Sequence, residues 1–217
     1  MKAIVAALPR EIAALVRGIE PDERLRRQRI FVYRLPSAVV ACAGMGAERA
    51  VLAVRAALDA GADGLLVSTG LAGACDPALK AGEVVTAGQV IDVRSGERFF
   101  AASEGAVLVT SPAIASIAEK RRLRASYSAS IVDMEGAAVA RQARARGLEF
   151  RAIKAVSDGS DFELEGLSRF ASADGQFRAA GFALHSAIRP HTWSKAIQLG
   201  RGSARALKTL TEVLRDL

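Results

Sequence analysis

Two acidic segments about one βα unit apart carry the clearest chemical pattern in the chain: Val132-Asp133-Met134-Glu135-Gly136 and Ala155-Val156-Ser157-Asp158. Each follows a short apolar run, Ser130-Ile131-Val132 in the first case and Ala152-Ile153-Lys154-Ala155-Val156 in the second. An Ala-rich helical segment, Ala137 to Arg146, joins them. Consecutive parallel strands joined by a helix deliver their C-terminal ends to one edge of the sheet, where α/β proteins bind ligands. Glu135 and Asp158 are therefore expected to face one crevice. Two carboxylates in a cleft can act as acid, base or hydroxyl anchor.

Three further loops at strand ends hold candidate residues. Leu8-Pro9-Arg10-Glu11 follows the first apolar run, and Glu11 falls in a helix's first turn, where the helix dipole favours a surface carboxylate. Ala43-Gly44-Met45-Gly46 and Ser68-Thr69-Gly70-Leu71-Ala72-Gly73-Ala74 are rich in small residues that let backbone N–H groups approach a ligand. Glycine pairs at strand ends are also ordinary tight turns, and neither segment has nucleotide-fingerprint spacing. Asp133 reads either as a strand-end cap or as part of the site. Ser157 reads as a cap or as the residue that orients Asp158.

The elements that must position these residues read as an α/β fold, a three-layer single domain over 1–217 with a mixed, mainly parallel sheet flanked by helices. Lys2 to Leu8 reads as a buried strand and Arg10 to Gly18 as a helix. Gln28 to Arg34 and Ala38 to Ala43 read as a hairpin. A helix from Ala47 to about Ala60, a strand from Gly64 to Thr69, a turn-rich loop from Gly70 to Gly82 and a long strand from Glu83 to Val93 follow. Val107 to Thr110 is a short strand, and Pro112 to Arg124 a helix capped by Ser111. Beyond Asp158 the pattern is helical, broken at Arg189-Pro190.

The chain has 217 residues, enough for one core, and 51% hydrophobic residues with only 5% aromatic, so the core is built from Ala, Val, Leu and Ile. No apolar run reaches the roughly 18 residues of a membrane span. The N-terminal apolar stretch is too short for a signal peptide, so a cytoplasmic protein is expected. Cys42 and Cys75 lack metal-ligand spacing and are expected as free thiols. The net charge of +7 gathers at Arg24 to Arg34, Lys120 to Arg124 and Arg141 to Arg151. Aromatic residues are few in these clusters (Phe31, Tyr33 and Phe150) and do not alternate with the basic ones as a nucleic-acid platform would need, so solvated helix faces are the preferred reading.

Together the motifs resemble the purine nucleoside phosphorylase and methylthioadenosine/adenosylhomocysteine nucleosidase superfamily. The resemblance runs from Met1 to about Asp161. It rests on Val132-Asp133-Met134-Glu135, on Lys154-Ala155-Val156-Ser157-Asp158, and on Thr69-Gly70-Leu71-Ala72-Gly73 before Lys80-Ala81-Gly82-Glu83-Val84-Val85. Within the superfamily, the Thr-Gly-Leu-Ala-Gly run, the short middle region and the basic tail look most like hopanoid-associated phosphorylases. The resemblance implies cleavage of an N-glycosidic bond between a purine and a ribosyl group, without a cofactor or metal. It makes Asp158 the acid at purine N7, which needs a raised pKa that desolvation at a partly buried strand end would supply. It also makes Glu135 the grip on ribose hydroxyls, Met134 the packing against the sugar, and Glu11 the carboxylate that positions water. Asp133, Thr69, Gly70, Ala72, Gly73 and Ser157 fall among the implied substrate contacts, and Thr110 and Ser111 fall where purine contacts are expected.

The chain departs from the pattern where Leu71 stands for a serine and Ala74 for a glycine, and where the segment from Arg98 to Ser130, which carries base-binding and dimer-forming loops, is short. Hydrolysis with a Glu11-held water is the favoured chemistry. Phosphorolysis, with phosphate as co-substrate on Gly44, Gly46, Arg10 and Arg49, is the alternative. A non-catalytic purine nucleoside-binding module is the rival from another class. The expected partners are a small purine nucleoside, an adenosyl compound first of all, and a second copy of the chain in a dimer, with no nucleic acid. Residues 192–217 read as an amphipathic helix with Trp193, Ile197, Ala204, Leu207, Leu210 and Leu214 on one face. Packing on the domain or in a dimer is the first expectation for that face, and peripheral contact with the inner membrane surface is the sharper alternative.

Overall fold

The computed structural model describes residues 1–163 and 193–217. Ten strands form one continuous sheet: β1 (Lys2–Ala6), β2 (Phe31–Arg34), β3 (Ala38–Cys42), β4 (Leu65–Ser68), β5 (Leu71–Ala74), β6 (Val84–Asp92), β7 (Arg98–Phe100), β8 (Ala106–Thr110), β9 (Ile131–Asp133) and β10 (Glu149–Asp158). Their order is β2-β3-β1-β4-β10-β5-β9-β8-β6-β7, and β10 also pairs with β6. That extra pairing closes β10, β5, β9, β8 and β6 into a ring, while the remaining strands extend as an open sheet. β10 is long enough to serve both parts. Glu149 to Ala152 run parallel to β4, and Ala155 to Asp158 run parallel to β5.

The helices among the described residues are α1 (Pro9–Ile12), α2 (Glu23–Arg26), α3 (Ala47–Asp59), α4 (Ile117–Tyr127), α5 (Gly136–Arg144) and α6 (Trp193–Arg215). Alanines let α3 and α5 approach the sheet closely: Ala50, Ala53, Ala57, Ala138 and Ala143 pack with Val5, Val39 and Leu66 on one face. On the other face α6 buries Ala206, Leu210 and Leu214 against Ile4, Val40, Val67 and Ile153. The apolar stripe of the C-terminal segment is thus largely spent on its own domain, leaving Ile197 exposed. None of the described helices is long and apolar enough to cross a membrane. The break at Arg189-Pro190 lies outside the described residues.

Several expected elements are corrected. The helix after β1 ends at Ile12 instead of Gly18, and the Gly70 to Gly82 loop contains strand β5. The helix expected from Pro112 begins at Ile117, where Ser116, and not Ser111, accepts a hydrogen bond from the Glu119 N–H. The largest correction concerns β9 and β10. They are not parallel neighbours: β5 lies between them, parallel to β10 and antiparallel to β9. Ring closure reverses the expected βα geometry, yet the two acidic segments still converge, because both are read against the same short strand. The hairpin of β2 and β3 forms as expected, and Cys42 and Cys75 are both buried and free. The basic clusters are partly neutralised locally, Arg122 by Glu119, Arg124 by Asp76 and Arg141 by Asp92 and Glu97.

Candidate active site

Strand β5 is the ruler of the site. Gly73 pairs with Val132 on one side and with Asp158 on the other. At the opposite end the Leu71 N–H donates to Glu11 Oε1 at 3.3 Å. The register of β10 slips between Val156 and Asp158, so Ser157 is the extra residue. Such an irregularity bends a strand and re-aims its side chains, here at the strand's last residue. A cavity of about 470 Å³ opens over β5, lined at one end by Ser157, Asp158 and Lys120 and at the other by Glu11, Arg10, Asp133, Met134 and Glu135. Its size suits a small organic ligand.

Glu11 is buried, not a surface dipole partner. Its Oε2 accepts from the Ala7 and Leu8 N–H groups, each at 3.0 Å. Gly70 lies against this carboxylate with φ of +108°, and a Cβ there would stand 2.8 Å from Oε2. Both the backbone angle and the contact require glycine. Glu135 Oε1 accepts from the Gly46 N–H at 2.7 Å, and Oε2 accepts from the Met134 N–H at 3.3 Å. Burial, reinforced by the Asp133 carboxylate, pushes the Glu135 carboxyl up to about 7, against the opposing pull of Lys154 and the Gly46 N–H.

Beneath Glu135 lies a buried polar network. Asp133 Oδ2 pairs with Lys154 Nζ at 2.8 Å and accepts from the Gly136 N–H at 2.8 Å, while Oδ1 accepts from the Thr110 hydroxyl at 2.8 Å. Thr110 Oγ1 in turn accepts from the Ala137 N–H, and Lys154 donates to the Thr69 carbonyl at 2.9 Å. Desolvation works against the Lys154 charge, but Asp133, Glu135 and Glu11 outweigh it and raise the ammonium above its ordinary value.

The other end differs from the expectation. Asp158 does not sit in an apolar pocket: Oδ2 is ion-paired with Lys120, and Oδ1 accepts from the Ser157 hydroxyl, which also reaches the Ala72 carbonyl at 3.2 Å. Lys120 Nζ donates in addition to the carbonyls of Gly159 at 2.8 Å and Phe162 at 3.1 Å. Gly73 makes room for this pair, since a Cβ there would lie 3.1 Å from Lys120 Cε and 3.3 Å from Asp158 Oδ2.

Of the residues singled out in the sequence, Arg10, Glu11, Ala72, Gly73, Asp133, Met134, Glu135, Ser157 and Asp158 line the cavity. Thr69, Gly70, Thr110, Ser111, Gly44, Gly46 and Arg49 do not. Thr110 instead braces Asp133, and the Ser111 N–H donates to the Asp133 carbonyl. Arg49 donates to the carbonyls of Ala43 and Arg29. The buried hydroxyls of Ser68 and Thr69 find no partner among the described residues.

Sequence reasoning missed Lys120, the run Ala113-Ile114-Ala115 and the α6 residues Leu199, Ser203 and Leu207, all of which line the cavity, as does Met45 of the Gly44-Met45-Gly46 loop. Lys120 stands in a basic run, and its burial is a tertiary outcome. It lies three residues before Leu123, and these two are the buried residues of α4. Among the described residues no group of three or more His, Cys, Asp or Glu could hold a metal ion.

A family model described as the phosphorylase superfamily matches residues 2–102 and 93–186. No curated relative matches the chain by sequence. Among solved structures, the fold is similar to a point mutant of Helicobacter pylori MTAN with 5′-methylthioadenosine in the active site, at a TM-score of 0.69 and 16% identity over 100% of this chain and 98% of that one. Futalosine hydrolase of Helicobacter pylori gives a TM-score of 0.69 and 17% identity over 100% and 97% of the two chains. The 5′-methylthioadenosine/S-adenosylhomocysteine nucleosidase of Neisseria meningitidis, in complex with methylthio-immucillin-A, gives 0.68 and 21% over 100% and 99%.

Proposed function

The chain belongs to the phosphorylase superfamily, which makes it an N-glycosyl bond-cleaving enzyme, and on that premise we propose that it hydrolyses the bond between purine and ribosyl in an adenosyl nucleoside. The observation that carries this reading is the placing of carboxylates at the two ends of β5 across a single cavity, Asp158 at Gly73 and Glu11 at Leu71. Glycosidic cleavage needs charge control at both ends of the breaking bond: the base gains electrons as the ribosyl ring becomes cationic. Asp158 serves the base end, with Ala113, Ile114 and Ala115 as its walls. Glu135 accepts from ribose hydroxyls, Met134 packs on the sugar, and Glu11 orients the attacking water. α6 forms the remaining wall, with Leu199 and Leu207 against the ligand.

Water is favoured over phosphate by what two of the four candidate anion ligands already do. The Gly46 N–H is committed to Glu135, and the Arg49 guanidinium to two backbone carbonyls. A buried Glu11 beside the reacting carbon repels an anion and suits a neutral nucleophile. The test follows adenine release from adenosine and from 5′-methylthioadenosine by the full chain, with and without inorganic phosphate. Release at an unchanged rate without phosphate is expected, with the oxygen of ¹⁸O-water entering the sugar product. Strict dependence on phosphate would establish phosphorolysis in its place, and saturable binding of both nucleosides with no release would leave a binding module.

A further inference from the structure

The ion pair of Asp158 raises a question that the glycosidic reading leaves open. A departing purine needs a proton, and Asp158 meets the cavity as a carboxylate that already accepts from Lys120 and Ser157. As such it has no proton of its own to give. Lys120 is the cationic proton carrier in contact with it: its ammonium touches Asp158, it lines the cavity, and its side chain is only 3% exposed. Its other two donated bonds go to the carbonyls of Gly159 and Phe162, so the ammonium is oriented as well as buried.

We infer that Lys120 is a positioning residue that supplies the leaving base with its proton through Asp158. This inference rests on the glycosidic reading and extends it. As the C1′–N9 bond breaks, its electron pair passes to the purine. Asp158 takes a proton from the Lys120 ammonium, which becomes an amine, and passes it to N7. Water adds to C1′ and gives up a proton to Glu11, and solvent later returns that proton to Lys120. The sum is nucleoside plus water giving free purine plus ribose, with Asp158 a carboxylate at both ends of the cycle. The arrangement also explains the glycine at position 73, since any larger residue would crowd the contact through which the proton moves.

The test compares adenosine and 5′-methylthioadenosine with their N7-methylated forms, whose fixed positive charge makes a proton unnecessary. The variants are Lys120→Met, which removes proton and charge, and Lys120→Arg, which keeps the charge but yields no proton at neutral pH. Both variants are expected to lose about 10²–10³-fold in kcat on the ordinary nucleosides, the range of a general-acid contribution, with KM little changed. Turnover of the N7-methylated nucleosides should stay near the wild-type rate, which also certifies the variant folds. Equal losses on both kinds of substrate, or recovery of the ordinary reaction by Lys120→Arg, would overturn the proton route while leaving the glycosidic reading intact. A wild-type chain that releases base from neither kind of nucleoside overturns both.

Discussion

Two buried lysine–aspartate pairs stand at opposite ends of β5, and they are built differently. The Lys154–Asp133 pair joins two strand residues of the ring, with side-chain exposures of 1% and 0%. Its other partners are the Thr69 carbonyl just after β4, the Thr110 hydroxyl at the end of β8 and the Gly136 N–H at the start of α5. The Lys120–Asp158 pair joins a helix to a strand end, and Asp158 keeps 16% exposure to the cavity. Its lysine also leans on carbonyls of the loop after β10. The first pair braces the floor beneath Glu135, and the second presents a carboxylate oxygen to the cavity. On the proposed reading, equal chemistry serves structure where it is sealed and reaction where it is open.

Asp158→Asn should sharpen this contrast most. An amide keeps the shape but can neither hold nor pass the proton, so kcat should fall by about 10²–10⁴-fold. Adenine binding, followed by calorimetry, should survive. If ligand binding and folding collapse together, Asp158 belongs with Asp133 as a structural group and the contrast fails.

The sealed pair predicts the reverse profile. Lys154→Met strands the Asp133 carboxylate without its cation, and breaking a buried pair from one side costs about 3–5 kcal/mol. Lys120→Met leaves Asp158 open to water from the cavity, so its cost in stability should be smaller, about 1–3 kcal/mol. Urea unfolding of the two variants measures both numbers. A larger stability loss for Lys120→Met than for Lys154→Met would reverse the assignment of roles.

The same contrast marks what was legible in the sequence. Strands with plain apolar runs, such as β1, β4 and β6, and the Ala-rich helices α3 and α5 are visible because local pattern and tertiary burial agree. The carboxylates are visible because Asp158 ends one such strand and Glu135 follows the end of another by two residues. Strand β5 is not, since Leu71-Ala72-Gly73-Ala74 carries little β-propensity of its own and is a strand only because β9 and β10 flank it. Without β5 the antiparallel relation of β9 to β10 is also invisible. Lys120 is hidden for a different reason: it opens the basic run Lys120-Arg121-Arg122, whose charge reads as a solvated face. Burial of a single lysine within that run is decided by Asp158, 38 residues away in sequence.

The smallest expected effect on turnover concerns Glu135, which feels the sealed pair. Its carboxyl is pushed up to about 7 by burial and by Asp133, while Lys154 and the Gly46 N–H pull the other way and Glu11 adds repulsion. A folded-state value above the ordinary 4.5 means that the native state holds this proton more tightly than the unfolded chain. The stability contributed by the proton is therefore complete below about 4.5 and is lost as pH rises through about 7. Glu135→Gln, which cannot ionise, should match the wild type in stability at low pH and exceed it above pH 7. Lys154 does not confuse the comparison, because its raised ammonium loses its contribution only in the alkaline range. Binding should respond in the opposite sense, since only the carboxylate can accept from two ribose hydroxyls. The wild-type kcat/KM should drop about tenfold at one unit below the Glu135 value, the fraction of carboxylate remaining there. A stability profile that is flat between pH 5 and 8 and identical in Glu135→Gln would mean that the sealed pair does not reach the sugar end electrostatically. The two ends of β5 would then be independent.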